Sequence, residues 1–498
     1  MHDPKQIELN LETATQFCQQ LPTYHITETA KQLYDYCTFI NHQKIDLTLR
    51  HQITTLLMQK IDYVFDGLFK QSFSSLNPDQ KTQNNILILI ESLFTLLKQS
   101  YQLVIEAQTK KLFCNKALLA LCISHCLRMN LKILFIHFLL YAKTPTGLWL
   151  DCHNLYHLAE QEKAHNKAIT PALDKEINHS TVADWYKHIL LFSIANPYRL
   201  CTQELLLLYH ALTFWTKHIN IDFADNMQDE LFVFDLERDH APVYASLGLF
   251  SFSGNTRVLV LKKLTPYLNS LLIEKNTGSS TEKNLPPSLI KQLVATWSYF
   301  SNRGQDRIEI NQPAKIFTGF QSIIQALSTE KKNTTSFVSD CTIINESPGG
   351  FCLELNMETL KIKPPQTGDL LGLSTQINEN QYQLTIGIIR WVKQLDGHKI
   401  QCGLQVIGHH PLALNIQLIG EHEQDLVGDP QHILFIPEMA AFGRGESIVS
   451  PSIFKPAMKL KLLSSTAPLS HLPVNTLLVL SDMVLSTGSF KQFFIQAQ

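Results

Sequence analysis

Residues 339–355, Ser-Asp-Cys-Thr-Ile-Ile-Asn-Glu-Ser-Pro-Gly-Gly-Phe-Cys-Leu-Glu-Leu, decide the fold of the second half of the chain. Two short β-prone runs, Ser339–Ile344 and Phe351–Leu355, flank a turn-forming stretch, Asn345–Gly350. Proline and glycine set the unusual dihedrals of such a turn, and short polar side chains cap it. The pattern repeats on both sides: Arg307–Ala314, Leu370–Ser374, Tyr382–Val392 and Ile400–Ile407 are further short runs separated by turn residues. Many short strands with turns between them predict an antiparallel barrel or sandwich. A helical insert, Gln321–Thr329, interrupts the run, and the final 75 or so residues return to strands at 432–436, 457–463, 476–481 and 490–496.

Upstream the period changes from two to between three and four. Residues 47–73 place Leu49, Ile53, Leu56, Leu57, Ile61, Val64, Phe65 and Leu68 on one helical face, and residues 84–107 repeat the pattern. Residues 113–141 are apolar nearly all round, which predicts the most buried helix; Lys116, Arg128 and Lys132 interrupt it as a membrane span. Helices are expected near 149–157, 181–195, 203–218, 257–275 and 288–300, with a strand at Leu231–Leu236. Helices followed by strands argue for an α+β multidomain chain. The expected division is an all-α N-terminal region over 1–300, an antiparallel β-barrel over 301–423 and a C-terminal β-rich segment over 424–498.

Lys plus Arg number 42 and Asp plus Glu 44, a net charge of -2, so no global positive field favours a nucleic-acid polymer. Any phosphate ligand must be met by a local site. Residues 1–10 carry Asp3, Lys5 and Glu8 and no apolar block, and the ten cysteines include no Cys-x-x-Cys. These features predict a cytoplasmic protein without a transmembrane segment.

Two motifs carry chemistry. Arg303-Gly-Gln-Asp-Arg307 sets two guanidiniums four residues apart, each a planar fork suited to phosphate oxygens and able to stack on a base. Asn345-Glu-Ser-Pro-Gly-Gly350 adds Asn345 and Ser347, which can cap a turn or read a base edge, and Gly349 and Gly350, which admit close approach. Separately, these read as solvated arginines and a hairpin turn. Together, in this order at the head of a strand-rich region, they describe a pocket for a guanine-type base and phosphates. His153 and His157 have the i, i+4 spacing of metal ligands, but no Glu lies between them and no third ligand has obvious spacing; core or surface histidines are the ordinary reading. Lys331-Lys332 reads as a solvated pair, and no Gly-x-Ser-x-Gly or phosphate-binding glycine loop is present.

With Thr367-Gly-Asp-Leu-Leu-Gly-Leu373, Ile386-Gly-Ile-Ile-Arg-Trp-Val392 and Cys402-Gly-Leu-Gln-Val-Ile407, the two motifs resemble the RxxxR, [D/N]xSxxG and strand signatures of PilZ domains. The resemblance covers about 110 residues, from Asn302 to roughly Gly408. It implies a six-stranded antiparallel barrel that binds cyclic di-GMP without catalysis. Arg303 and Arg307 would grip phosphates and stack on guanine, Asn345 and Ser347 would contact a guanine, and Gly350, with Gly349, would keep the turn open to it. The spacing of 38 residues from Arg307 to Asn345 is long for the family, with Gln321–Thr329 inside it, and Asp306 lies within the RxxxR. The implied function is a cyclic di-GMP receptor with no cofactor, acting on an unidentified protein partner in motility, pilus or biofilm control. The RxxxR, at the end of the helical half, would act as a hinge. The alternatives are a ligand-independent scaffold and, on His153 and His157, a metal-dependent enzyme.

Overall fold

The computed structural model describes residues 9–74, 80–170, 177, 179–224, 231–248, 254–273, 280–298, 307–328, 338–362, 364–378, 381–395, 398–420, 426–438 and 445–497. The chain divides into two compact units, Met1–Pro197 with Thr202–Ser301, and Asn302–Gln498 with the short stretch Tyr198–Cys201.

The first unit begins with α1 (Leu11–Gln20), α2 (Ile26–His42), α3 (Leu47–Ser74), α4 (Gln80–Thr109), α5 (Lys116–Leu139), α6 (Leu148–Gln161), α7 (Val182–Ile194) and α8 (Thr202–Trp215). Helix α5 starts at Asn115, whose side chain accepts from the backbone N–H groups of Ala117 and Leu118, and it packs against α4, α6, α7 and α8. It is long and apolar enough to cross a membrane, yet 94% of its apolar window is buried inside this unit. Three of its polar side chains are matched from neighbouring helices. Arg128 Nη2 and Lys132 Nζ donate to the Asp62 carboxylate at 2.7 and 2.8 Å, and Asn130 Nδ2 donates to Asp151 at 2.8 Å. A helix packed on every side has no polar face to display, which explains a sequence that is apolar all round.

The unit continues with β1 (Asn220–Phe223), β2 (Phe232–Asp235), β3 (Val243–Tyr244) and β4 (Thr256–Val260), then α9 (Leu264–Ile273), α10 (Ser280–Lys283) and α11 (Pro287–Ser298). The strands form one sheet in the order β1-β4-β2-β3, so the helical region carries a small sheet whose second strand is the run seen at 231–236. The helix expected from Arg257 begins only at Leu264. The preceding Thr-Arg-Val-Leu-Val is rich in β-branched residues and fills the position between β1 and β2.

The second unit contains two closed six-stranded barrels. The first is made of β5 (Ile308–Thr318), β6 (Val338–Ser347), β7 (Gly350–Asn356), β8 (Leu370–Asn378), β9 (Gln381–Gln394) and β10 (Lys399–His409), in the order β10-β7-β6-β5-β8-β9. Each expected strand of this region is present. The second is made of β11 (Leu412–Ile419), β12 (Leu426–Ile436), β13 (Ser447–Pro451), β14 (Lys459–Ser465), β15 (Leu477–Ser486) and β16 (Phe490–Ala497), in the order β11-β12-β13-β16-β15-β14. The C-terminal segment is thus a barrel in its own right. Strand β11, left with the first barrel by a division at residue 423, is hydrogen-bonded to β12 and β14; the first barrel ends at His409. Only His410, at a φ of 49°, and Pro411 turn the chain between the barrels, too little to show as a linker.

An apolar layer joins the barrels. Ile386, Ile388 and Ile407 of the first meet Ala413, Leu434 and Ile436 of the second. A Cβ on Gly408 would lie 2.4 Å from Ile436 Cγ2, so glycine there admits the isoleucine. The insert is α12 (Phe320–Ser328), which packs on β5, β8, β11 and β12 and buries Ile323 and Ile324 in this layer. Its role is to bind the barrels together.

Candidate functional site

The motif residues lie on the outer face of the first barrel, where β-bulges set their direction. In β6, Ile343 faces Leu353 and Asn345 faces Cys352, so Ile344 is an extra residue. Ile343 and Leu353 are buried inside the barrel, and the bulge sends Asn345 outward. Arg307, exposed just before β5, donates from Nη1 to Asn345 Oδ1 at 2.9 Å. Arg303 and Asp306 lie outside the described residues, as do Lys331 and Lys332.

The register carries the Asn345 row across the sheet, through Cys352 and Gly403 to Trp391. A Cβ on Gly403 would lie 2.0 Å from Trp391 Nε1. The indole therefore lies flat over the glycine, a half-buried aromatic surface in line with Asn345 and Arg307.

The next outward row runs through Ser347, Gly350 and Gln405. Ser347 Oγ donates to the Gly350 carbonyl at 3.3 Å, and the Gly349 carbonyl accepts from Val406 N–H at 3.0 Å. A Cβ on Gly350 would lie 2.0 Å from the Leu404 carbonyl oxygen, so glycine is required here for close approach of β7 to β10. That is a different demand from keeping a turn open. A second bulge follows in β9: Gly403 faces Trp391 while Leu404 faces Ile389, which makes Arg390 the extra residue. Arg390 Nε donates to Gln405 Oε1. Burial holds this guanidinium below its ordinary pKa, and the nearby Arg199 guanidinium lowers it further.

Trp391 and Arg390 received no role from the sequence beyond membership of a strand. The available signal was the pair Arg390-Trp391 breaking an apolar run, a pattern that alternation alone does not produce. Burial pushes the Cys341 thiol up to about 12 and raises Cys402 further, which favours the protonated thiol over the reactive thiolate.

The histidine pair of the first unit is engaged elsewhere. His153 Nε2 donates to the His240 carbonyl at 3.0 Å, and Nδ1 then accepts from Tyr186 Oη at 2.6 Å. His157 Nε2 meets Gln161 Nε2 at 2.8 Å. Among the described residues no group of three His, Cys, Asp or Glu side chains converges as a metal site.

Two family models match the chain. One, described as the N-terminal domain of the cyclic-di-GMP receptor FimW, matches residues 12–226; the other, described as its middle PilZ domain, matches residues 321–411. The second span contains Asn345, Ser347, Gly350, Arg390 and Trp391 and begins after Arg307. The chain is also 21% identical to the cyclic-di-GMP receptor FimW of Pseudomonas aeruginosa, an alignment covering 95% of this chain and 88% of that protein. The two models together account for more than half of the chain, over both the helical region and the first barrel: the chain belongs to the PilZ-domain proteins that carry a large helical N-terminal region.

Proposed function

We propose that this chain is a cytoplasmic, non-enzymatic receptor for cyclic di-GMP, with the outer face of the first barrel as its binding surface. The observation that carries the reading is the hydrogen bond from Arg307 to Asn345, which joins two motifs 38 residues apart in the chain. Arg303 and Arg307 take the phosphates, Asn345 and Ser347 read a guanine edge, and Gly349 and Gly350 hold the turn against β10. The Trp391 indole offers a stacking surface for a base. Family membership, and a relative described as a cyclic-di-GMP receptor, support the same ligand. The helical region is the surface for a protein partner in motility, pilus or biofilm control.

Isothermal titration of the full chain with cyclic di-GMP tests the reading. Wild type is expected to give saturable binding. Arg303→Ala and Arg307→Ala are each expected to weaken it about ten- to a hundredfold, the scale of one charge-assisted hydrogen bond. No heat at about 100 µM ligand, far above a micromolar Kd, overturns the receptor and leaves a ligand-independent scaffold.

A further inference from the structure

The two barrels enclose a cleft of about 180 Å³, bordered by Arg390 and Gln405 of the first and by Ser447, Gln492 and Phe494 of the second. No carboxylate lines it among the described residues, and Arg390 has no ion pair among them. The hydrogen bond from Arg390 Nε to Gln405 fixes the guanidinium plane, and neither Nη group has a partner among the described residues. Arg199, in the stretch Tyr198–Cys201 that groups with the barrels, adds a second positive charge nearby. Opposite, Gln492 Nε2 donates to Ser447 Oγ at 2.9 Å, so the serine hydroxyl keeps its own proton as a donor. A half-buried guanidinium beside a like charge, with no counterion among the described residues, is costly, and a bound anion relieves that cost.

The cleft adjoins the candidate site. Gln405, which holds Arg390, is the direct cross-strand partner of Gly350 in the Ser347 row. From β6 to β9 there are three strand spacings, about 14 Å in all, and the long Arg390 side chain shortens the gap that one dinucleotide with a guanine at Asn345 has to bridge. We infer that the second barrel completes the nucleotide site: Arg390 holds a phosphate of the guanine dinucleotide in this cleft, with Ser447 on the opposite wall, so that ligand binding ties the two barrels together. This inference rests on the receptor reading above.

The test combines titration of the full chain with amide hydrogen exchange. Arg390→Ala is expected to weaken cyclic di-GMP binding at least tenfold. In wild type the ligand is expected to slow exchange in Ser447–Pro451 and Phe490–Ala497, strands of a barrel that contributes neither sequence motif. If wild type binds, Arg390→Ala binds equally well and exchange in those strands is unchanged, the inference falls and the receptor reading stands. If wild type does not bind cyclic di-GMP, both fall. Inorganic phosphate is the control probe. If it protects the two strands as the dinucleotide does, while Arg390→Ala leaves dinucleotide affinity intact, the cleft is a free-phosphate site and the inference is overturned. The exchange measurement on wild type decides the question even if the variant does not fold.

Discussion

At Gly350 and Gly403 the space of a missing side chain belongs to a neighbour, and the two neighbours differ in how far they can yield. Over Gly403 lies the flat of the Trp391 indole, a side chain that can rotate away. Over Gly350 lies the Leu404 carbonyl, part of the β7–β10 ladder, which cannot move without parting the strands. Both alanine variants overpack, at a typical cost of about 1–3 kcal/mol. Gly350→Ala is expected at the upper end and Gly403→Ala at the lower end, as read from urea denaturation midpoints. Gly403→Ala should also shift the emission of Trp391, the one tryptophan after residue 301, toward that of a solvated indole. Equal costs for the two variants would show that the backbone of β10 yields as easily as a side chain.

At the scale of elements, α6 and α7 are joined by a histidine that must stay neutral. Its two ring nitrogens are already matched, one donating to the His240 carbonyl and one accepting from Tyr186 Oη. Burial lowers the pKa of His153 to about 4, opposed by the His240 hydrogen bond and by Asp239 and Asp235, while the charge of His240 adds to the lowering. In the unfolded chain the group titrates near 6.5, so below that pH the unfolded state binds the extra proton. Stability from this residue is therefore full above about pH 6.5 and declines as pH falls toward 4, by about 3 kcal/mol at that point. Urea denaturation of the helical unit between pH 7.5 and 4 should show the decline, and His153→Gln should flatten it. An unchanged slope in the variant would assign the acid sensitivity to other groups, such as the equally buried His125 and His188. Elements also show where sequence reading loses its grip. The β-branched bias of residues 256–260 is a weak signal over so short a run, and their place between β1 and β2 settles the matter.

For the molecule as a whole, the layer joining the barrels makes two closed sheets into one unit. Ile436 is its clearest single plug, since it fills the space over Gly408. Ile436→Ala is expected to cost about 2–4 kcal/mol, the range for a buried large-to-small change, and to split the unfolding of the barrels into two calorimetric transitions. A single unchanged transition would show that α12 alone holds them together.

The residues themselves determined the helical period of the long N-terminal helices, the alternation of the six first-barrel strands, the turn at Asn345–Gly350 and the chemistry of arginine, asparagine and serine as ligand groups. These are local properties, written in neighbours one to four positions apart. Tertiary structure alone decided that β11 leaves the first barrel, that α12 packs between barrels, that Arg307 meets Asn345, that Trp391 lies in the Asn345 row, and that Arg390 meets Gln405 of the Ser347 row. Each depends on strand register and on which residue a bulge leaves unpaired. Register is a non-local quantity: it is set when buried faces from distant parts of the chain are matched, and shifting it by one residue would turn every side chain to the opposite face.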